Sequence, residues 1–194
     1  MERVSPSPAR FSFEKLAWMN QYYINHILSL DDVARRCVPY LQASGLVTEA
    51  AGEPGSAEFN YAREVIALVK DRLKFLTEVA ELTAFFFTEG TEDYEVSSLV
   101  PRKTDPEVVL NALERARERL GEADFDNEAD LEERLRGLAE ELGLKAGQLF
   151  MPIRVAITGR TVSPGLFETL RVLGKDRSLA RLETAAGKLR GSIE

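Results

Sequence analysis

Apolar positions recur at three- and four-residue intervals along almost the whole chain, which predicts a protein built of helices with few strand segments. Phe13, Leu16, Asn20, Tyr23, Ile24, Ile27 and Leu28 mark a first helix with one apolar face. Ser29 offers an N-cap with Asp32 three residues on, and the helix it opens is expected to bend at Pro39 and stop at Gly45. Residues 46–56 read as a loop. Phe59, Ile66, Val69 and Leu73 mark a third helix, and Val79, Leu82, Phe85 and Phe86 a fourth. Thr104-Asp105-Pro106-Glu107 has the form of a capping box with an early proline and predicts a helix over about 105–120. Asp126 is the expected cap of the next, whose leucines at 131, 135, 138 and 142 form one stripe ending at Gly143. Three more complete the pattern: a short helix over 146–158 despite Pro152, one from Ser163-Pro164 to Gly174, and a last one capped by Asp176 and fading near Gly187. The predicted class is all-α.

Residues 88–103 change character, with Gly90, Tyr94, two serines, Pro101 and scattered charge. They set the expected division into a tail over 1–10, a first helical subdomain over 11–90 and a second over 91–194. The chain of 194 residues, 44% apolar and 29% charged, is long enough for one or two ordinary cores. No apolar run reaches membrane-spanning length, and the first residues carry no signal pattern. Cys37 is the only cysteine, which excludes an internal disulfide and makes a reducing cytoplasm the expected compartment; its spacing between Val33 and Leu41 makes it a core residue. A net charge of −7 argues against a generic nucleic-acid binder. The charge is uneven, however: residues 151–194 hold eight Lys/Arg against four Asp/Glu. Either this basic end steers the molecule onto a phosphate backbone, or it is ordinary charge on solvated helix faces.

The run from Met151 to Glu168 joins two predicted helices through a short polar connection, with Arg154 and Arg160 on its two sides. Its Pro152, Arg154, Ala156, Thr158, Gly159 and the block Ser163-Pro164-Gly165-Leu166-Phe167-Glu168 resemble the C-terminal anticodon-binding region of bacterial glutamyl-tRNA synthetases, where the pattern reads roughly P-L-R-x-A-L-T-G-x-x-x-[ST]-P-G-L-F-E. Residues 11–24, with Phe11, Lys15, Leu16, Trp18, Asn20, Tyr23 and Ile24, are similar to the F-D-x-x-K-L-x-W-x-N-x-x-Y-I stretch that follows the catalytic half of the same enzymes.

The resemblance implies a two-subdomain helical anticodon-binding domain of the helix-cage type, from a class I aminoacyl-tRNA synthetase. Its partner would be the anticodon stem-loop of glutamate tRNA, with no role for DNA or a membrane, and it would act as a monomer. The parent enzyme would attach glutamate to tRNA using ATP and magnesium, neither of which this stretch would bind. By the same resemblance Arg72 faces the third anticodon base, and Arg136 and Arg154 reach the anticodon loop. Ser163, Pro164, Leu166 and Phe167 form the wall on which splayed bases rest, and Lys15 and Trp18 lie along the tRNA. The chemistry suits those roles, because single-stranded bases are read by stacking and by hydrogen bonds to their exposed edges. Read without the resemblance, each residue has a plainer role. Trp18, Leu166 and Phe167 are core candidates, Arg72 complements a helix C-terminus, and Arg136 and Arg154 are surface cations or stems packed on leucines.

The signatures of the catalytic half, H-x-G-H and K-[ML]-S-[KR], are missing. The single histidine, His26, reads as structural, and there is no glycine-rich phosphate loop, Cys/His metal set or Ser/His/Asp arrangement. The expectation is a fragment whose catalytic half was removed just before Phe11. The competing reading is a free-standing helical domain that binds a protein partner.

Overall fold

The structure, a computed structural model, describes residues 12–91 and 93–193; the expected tail over 1–10, together with Phe11, lies outside the described residues. Within them the chain is helical and contains no strand. α1 (Phe13–Tyr22) opens into a π turn at Tyr23–Ile27 and is followed by α2 (Leu30–Ala43), α3 (Ala57–Val69) and α4 (Val79–Phe87). Then come α5 (Pro106–Gly121), α6 (Glu128–Glu141), α7 (Ala146–Thr158), α8 (Leu166–Leu173) and α9 (Lys175–Ile193). None of these helices is long and apolar enough to cross a membrane.

Local chemistry accounts for most boundaries. Ser29 caps α2, its Oγ accepting from the Asp32 N–H at 3.1 Å and donating to Asp32 Oδ2 at 2.7 Å, and α2 continues through Pro39. Asp105 caps α5 by accepting from the Glu107 N–H at 2.9 Å, while Thr104 accepts from Gln148 Nε2 at 3.2 Å instead of sharing that cap. Asn127 rather than Asp126 caps α6, because its amide oxygen reaches the N–H groups of both Ala129 and Asp130. Asp176 lies within the first turn of α9, which begins at Lys175 and runs past Gly187 to Ile193. Burial of Leu189 against α5 and its neighbours carries the helix over that glycine.

Two apolar clusters hold the helices together. Ile24, Val33, Cys37, Leu41, Phe59, Ile66, Leu73 and Val79 belong to one; Phe86, Leu99, Leu113, Leu131, Leu138, Ile153, Leu170, Leu182 and Leu189 belong to the other. α4 joins them, with Val79 in the first and Phe85 and Phe86 in the second. Cys37 is fully buried and its thiol is pushed up to about 12 by burial. It should therefore resist a thiol reagent such as DTNB at pH 8 until denaturant unfolds the chain. Rapid stoichiometric reaction of the native protein would contradict that placement.

Two arginines of α9 tie it to α3, α4 and α7. Arg181 is buried and donates to the carbonyls of Ile157 (2.6 Å), Phe85 (2.8 Å) and Thr88 (2.6 Å). Arg177 donates to the Phe86 carbonyl (2.6 Å) and the Tyr61 hydroxyl (3.0 Å), with its guanidinium 5.2 Å from the Tyr61 ring centre. These carbonyls lie at the ends of α4 and α7, where helices run out of their own N–H donors. Burial, with the nearby charge of Arg177 adding to it, lowers the Arg181 pKa to about 10.

The first helix departs from expectation. No residue of α1 is buried, and its apolar side chains face solvent rather than the core. What holds it to the body is polar: Asn20 Nδ2 donates to the Lys74 carbonyl (2.7 Å) and Gln21 Nε2 to the Asp71 carbonyl (3.0 Å). Lys70 Nζ donates to the Leu28 carbonyl at 3.1 Å, and the π turn swings Ile24 into the first cluster.

Candidate nucleic-acid interface

The join between α7 and α8 is built around Arg154. α7 ends where Gly159 takes a left-handed conformation (φ 74°), which a glycine adopts without strain, and the Gly159 N–H bonds back to the Val155 carbonyl at 2.8 Å. Thr158 Oγ1 donates to the Arg154 carbonyl (2.7 Å) and accepts from the Arg160 N–H (3.1 Å). The Arg154 guanidinium then spans the loop, donating to the Ser163 carbonyl (3.3 Å), to the Ser163 hydroxyl and to the Pro164 carbonyl (2.6 Å).

That clamp explains a correction. Ser163 and Pro164 do not start a helix; α8 begins at Leu166 with Gly165 at the N-cap position. The Ser163 hydroxyl is engaged by Arg154 and donates to the Pro164 carbonyl at 3.1 Å, so it caps nothing. Nor is the start of α8 an open seat for an anion. The Glu168 carboxylate folds back over Gly165, so near that a Cβ there would lie 1.7 Å from Glu168 Oε2. A carboxylate in the first turn already complements the helix dipole.

Arg72 lies near enough to Arg154 for their charges to interact. It sits on a 3-10 turn (Lys70–Arg72) after α3, with the backbone on either side tied to α1 through the Asp71 and Lys74 carbonyls. Its side chain is exposed and forms no ion pair with any described residue. Half-burial lowers the Arg154 pKa, and the positive charge of Arg72 lowers it further while Glu168 opposes both. Arg72, Arg154 and Glu168 are thus electrostatic neighbours although they come from three separate segments. Arg72 also lines a depression of about 250 Å³ together with Lys74, Glu78, Glu81 and Leu82, which Arg154 and Glu168 do not line. A larger cavity of about 810 Å³ lies elsewhere, between residues 96–107 and the end of α9, and none of the sequence-predicted residues lines it.

Arg136 is exposed on α6, paired with Glu132 at 2.6 Å and placed 5.8 Å from the Phe150 ring centre. Phe150 meets Phe167 edge to face at 5.5 Å, so Arg136, Phe150 and Phe167 form one continuous surface across α6, α7 and α8. Phe167 is half-buried, whereas Ser163, Pro164 and Leu166 are buried and shape the loop from beneath. Lys15 and Trp18 lie on α1, and among the described residues no hydrogen bond, ion pair or ring contact links either to these arginines. Trp18 stacks on Tyr22 (5.8 Å), and Tyr22 meets the exposed His26 (4.7 Å). Phe150 and Glu168 were not singled out from the sequence; Phe150 falls among apolar neighbours that all read as core.

Five of the basic residues of the C-terminal stretch are engaged within the protein. Arg171 pairs with Glu128 at 2.8 Å, Arg190 with Glu114, Lys188 lies 4.7 Å from the Tyr94 ring centre, and Arg177 and Arg181 hold carbonyls. Among the described residues no group of His, Cys, Asp or Glu side chains is arranged to hold a metal ion.

Residues 32–186 match a family model described as Anticodon binding domain. The chain belongs to this family. It is 44% identical over 189 residues to a glutamate–tRNA ligase of Roseiflexus castenholzii, covering 97% of this chain and 36% of that protein. It is 42% identical over 193 residues to a glutamate–tRNA ligase of Moorella thermoacetica, covering 100% of this chain and 38% of that protein. A solved glutamate tRNA ligase from Elizabethkingia meningosepticum, in complex with its amino acid, superposes with a TM-score of 0.79 at 25% identity over 96% of this chain and 34% of that one. This anticodon-binding-family chain thus spans little more than a third of the length of the curated relatives it matches.

Proposed function

We propose that the chain is the anticodon-recognition part of a glutamate–tRNA ligase, in two helical subdomains, and that it binds the anticodon stem-loop of glutamate tRNA. Attachment of glutamate with ATP belongs to the rest of the ligase. The observation that carries this reading is the match of residues 32–186 to the anticodon-binding family, in a chain where the charge of Arg72 is near enough to bear on Arg154. Arg154 is pinned across the loop and holds its shape. Arg72 offers an exposed planar fork of hydrogen-bond donors. Phe167, backed by Phe150, presents a partly open aromatic surface on which an unstacked base can rest, and Arg136 adds a cation at its edge. Glu168 contributes an acceptor beside two donors, so the patch can address both kinds of hydrogen-bonding group on a base. Lys15 supplies one further cation on α1.

The test is fluorescence anisotropy of the chain with a glutamate-tRNA anticodon hairpin, compared with a duplex made of the same stem without the loop. The hairpin should bind several-fold more tightly, and Arg154→Ala should remove most of that advantage while leaving the weak, salt-sensitive duplex binding in place. Equal binding of hairpin and duplex by the unaltered chain would defeat the proposal.

A further inference from the structure

The segment between α3 and α4 holds an aromatic side chain out of the body on a backbone tied at several points. Leu73 is fully buried, while Arg72, Lys74 and Phe75 are exposed. The Glu78 carboxylate accepts from the N–H groups of both Lys74 (2.8 Å) and Phe75 (3.0 Å). Asn20 holds the Lys74 carbonyl and Gln21 the Asp71 carbonyl. These bonds fix the main chain and leave the three exposed side chains to solvent. Among the described phenylalanines, all except Phe13 and Phe75 pack in or against one of the two apolar clusters. Phe75 is 37% exposed, and its ring meets no aromatic ring or cation among the described residues. A ring held outside the core on an ordered backbone is already arranged for contact, and little freedom is lost when it is covered.

We infer that Phe75 is a stacking platform for one further unpaired base of the anticodon loop, the base on the 3′ side of the one that Arg72 addresses. The inference rests on the reading of the chain as an anticodon-binding module and extends it to a residue outside the block from Ser163 to Phe167. The charges around the ring select RNA over an apolar protein surface. Arg72 and Lys74 precede Phe75, line one depression together, and form no ion pair with a described residue. The Glu78 carboxylate of the same segment is spent on two main-chain N–H groups. Cations beside an open aromatic ring suit a base with its phosphate, whereas lysine is depleted where proteins meet proteins. Chain geometry selects the base. Phe75 lies three residues from Arg72, so their Cα atoms are at most about 11 Å apart. With the α7–α8 join taking the other splayed bases, the neighbour left for the Arg72 segment is the nucleotide after the anticodon. Phenylalanine carries no polar group, so it would accept any base there and favour the larger face of a purine.

The experiment is a double-mutant cycle across the protein and the RNA. The unaltered chain and Phe75→Ala are each titrated with the glutamate-tRNA anticodon hairpin and with the same hairpin made abasic at the nucleotide 3′ of the anticodon. Phe75→Ala and the abasic change should each weaken binding roughly ten-fold, and the two together should cost no more than either alone. Phe75→Trp should keep the affinity, because it keeps a flat face. The melting midpoint of Phe75→Ala should stay within about 2 °C, and its binding of the stem duplex should not change. Hairpin affinity untouched by Phe75→Ala would overturn the proposal, and so would losses that multiply, since the ring and the base would then act separately. A lower midpoint with equal losses for hairpin and duplex would return the ring to the fold and also overturn it. Concentration-dependent self-association abolished by Phe75→Ala would give the ring to a second copy instead. A hairpin preference retained without coupling would sink the role of Phe75 alone, whereas no hairpin preference in the unaltered chain would sink the anticodon reading along with it.

Discussion

Replacing Arg181 with leucine should destabilise the chain by about 3 kcal/mol, the largest effect expected of any single surface-to-core arginine here. The guanidinium supplies donors to three carbonyls, at Phe85, Thr88 and Ile157, in a region closed to solvent. Leucine fills much of the volume and offers none. Each carbonyl left without a donor costs roughly 1 to 3 kcal/mol, and the total is reduced because burying the cation was itself unfavourable. That cost shows in the Arg181 pKa, lowered to about 10, and in its Nε, which is buried without a partner. Thermal denaturation followed by circular dichroism should show a midpoint lower by roughly 10 °C. Arg181→Lys should recover part of the loss, since an ammonium can reach some of the same carbonyls. An unchanged midpoint for the leucine variant would mean that the α4 and α7 ends find other donors.

The second large effect is expected at Arg72, and it concerns selectivity rather than stability. The third anticodon base of glutamate tRNA is C and that of glutamine tRNA is G. Cytosine presents two acceptors, O2 and N3, to an arginine fork, whereas guanine presents an N–H donor on the same edge. Arg72 is exposed, sits on a turn whose backbone is fixed on both sides, and forms no competing ion pair with a described residue. Arg72→Gln should therefore reduce a preference for C over G that is roughly 10- to 100-fold in the unaltered chain to little or none. The change should leave the melting midpoint almost untouched, because the side chain buries nothing. A variant that loses affinity for both hairpins equally would show Arg72 to be a general phosphate contact instead.

Most of the helices were legible in the sequence because their signals are local. Ser29 with Asp32, Asp105 with Pro106, and the glycines at 45, 143, 159 and 174 act within one turn of where they stand. What was not legible depends on distant partners. Ser163 has the chemistry of a cap, but Arg154, nine residues earlier, takes its hydroxyl, and the helix start moves to Leu166. Arg177 and Arg181 look like ordinary helix-face cations until α9 is laid against carbonyls up to 96 residues away. Periodicity in α1 announced an apolar face correctly, but not what that face would meet; only the polar grip of Asn20 and Gln21 on the body shows that it points outward.

The candidate site divides in the same way. The block from Ser163 to Phe167 was visible as a pattern, and Arg154 belongs to it geometrically. Arg72 could be connected to that block only by resemblance, because some 80 residues of sequence separate it from Arg154. The structure places the two charges close enough to act on each other. Phe150 escaped notice because nothing in its sequence surroundings separates a residue under the core from one at the edge of an aromatic surface.

The central claim is that this chain reads anticodon bases. It is tested most directly by titrating the unaltered chain with a glutamate-tRNA anticodon hairpin and with the same hairpin carrying G in place of C at the third anticodon position, at matched salt. The account predicts tighter binding of the C hairpin by roughly ten-fold or more. Indistinguishable affinities would contradict it and leave a domain that holds the tRNA backbone without reading the base.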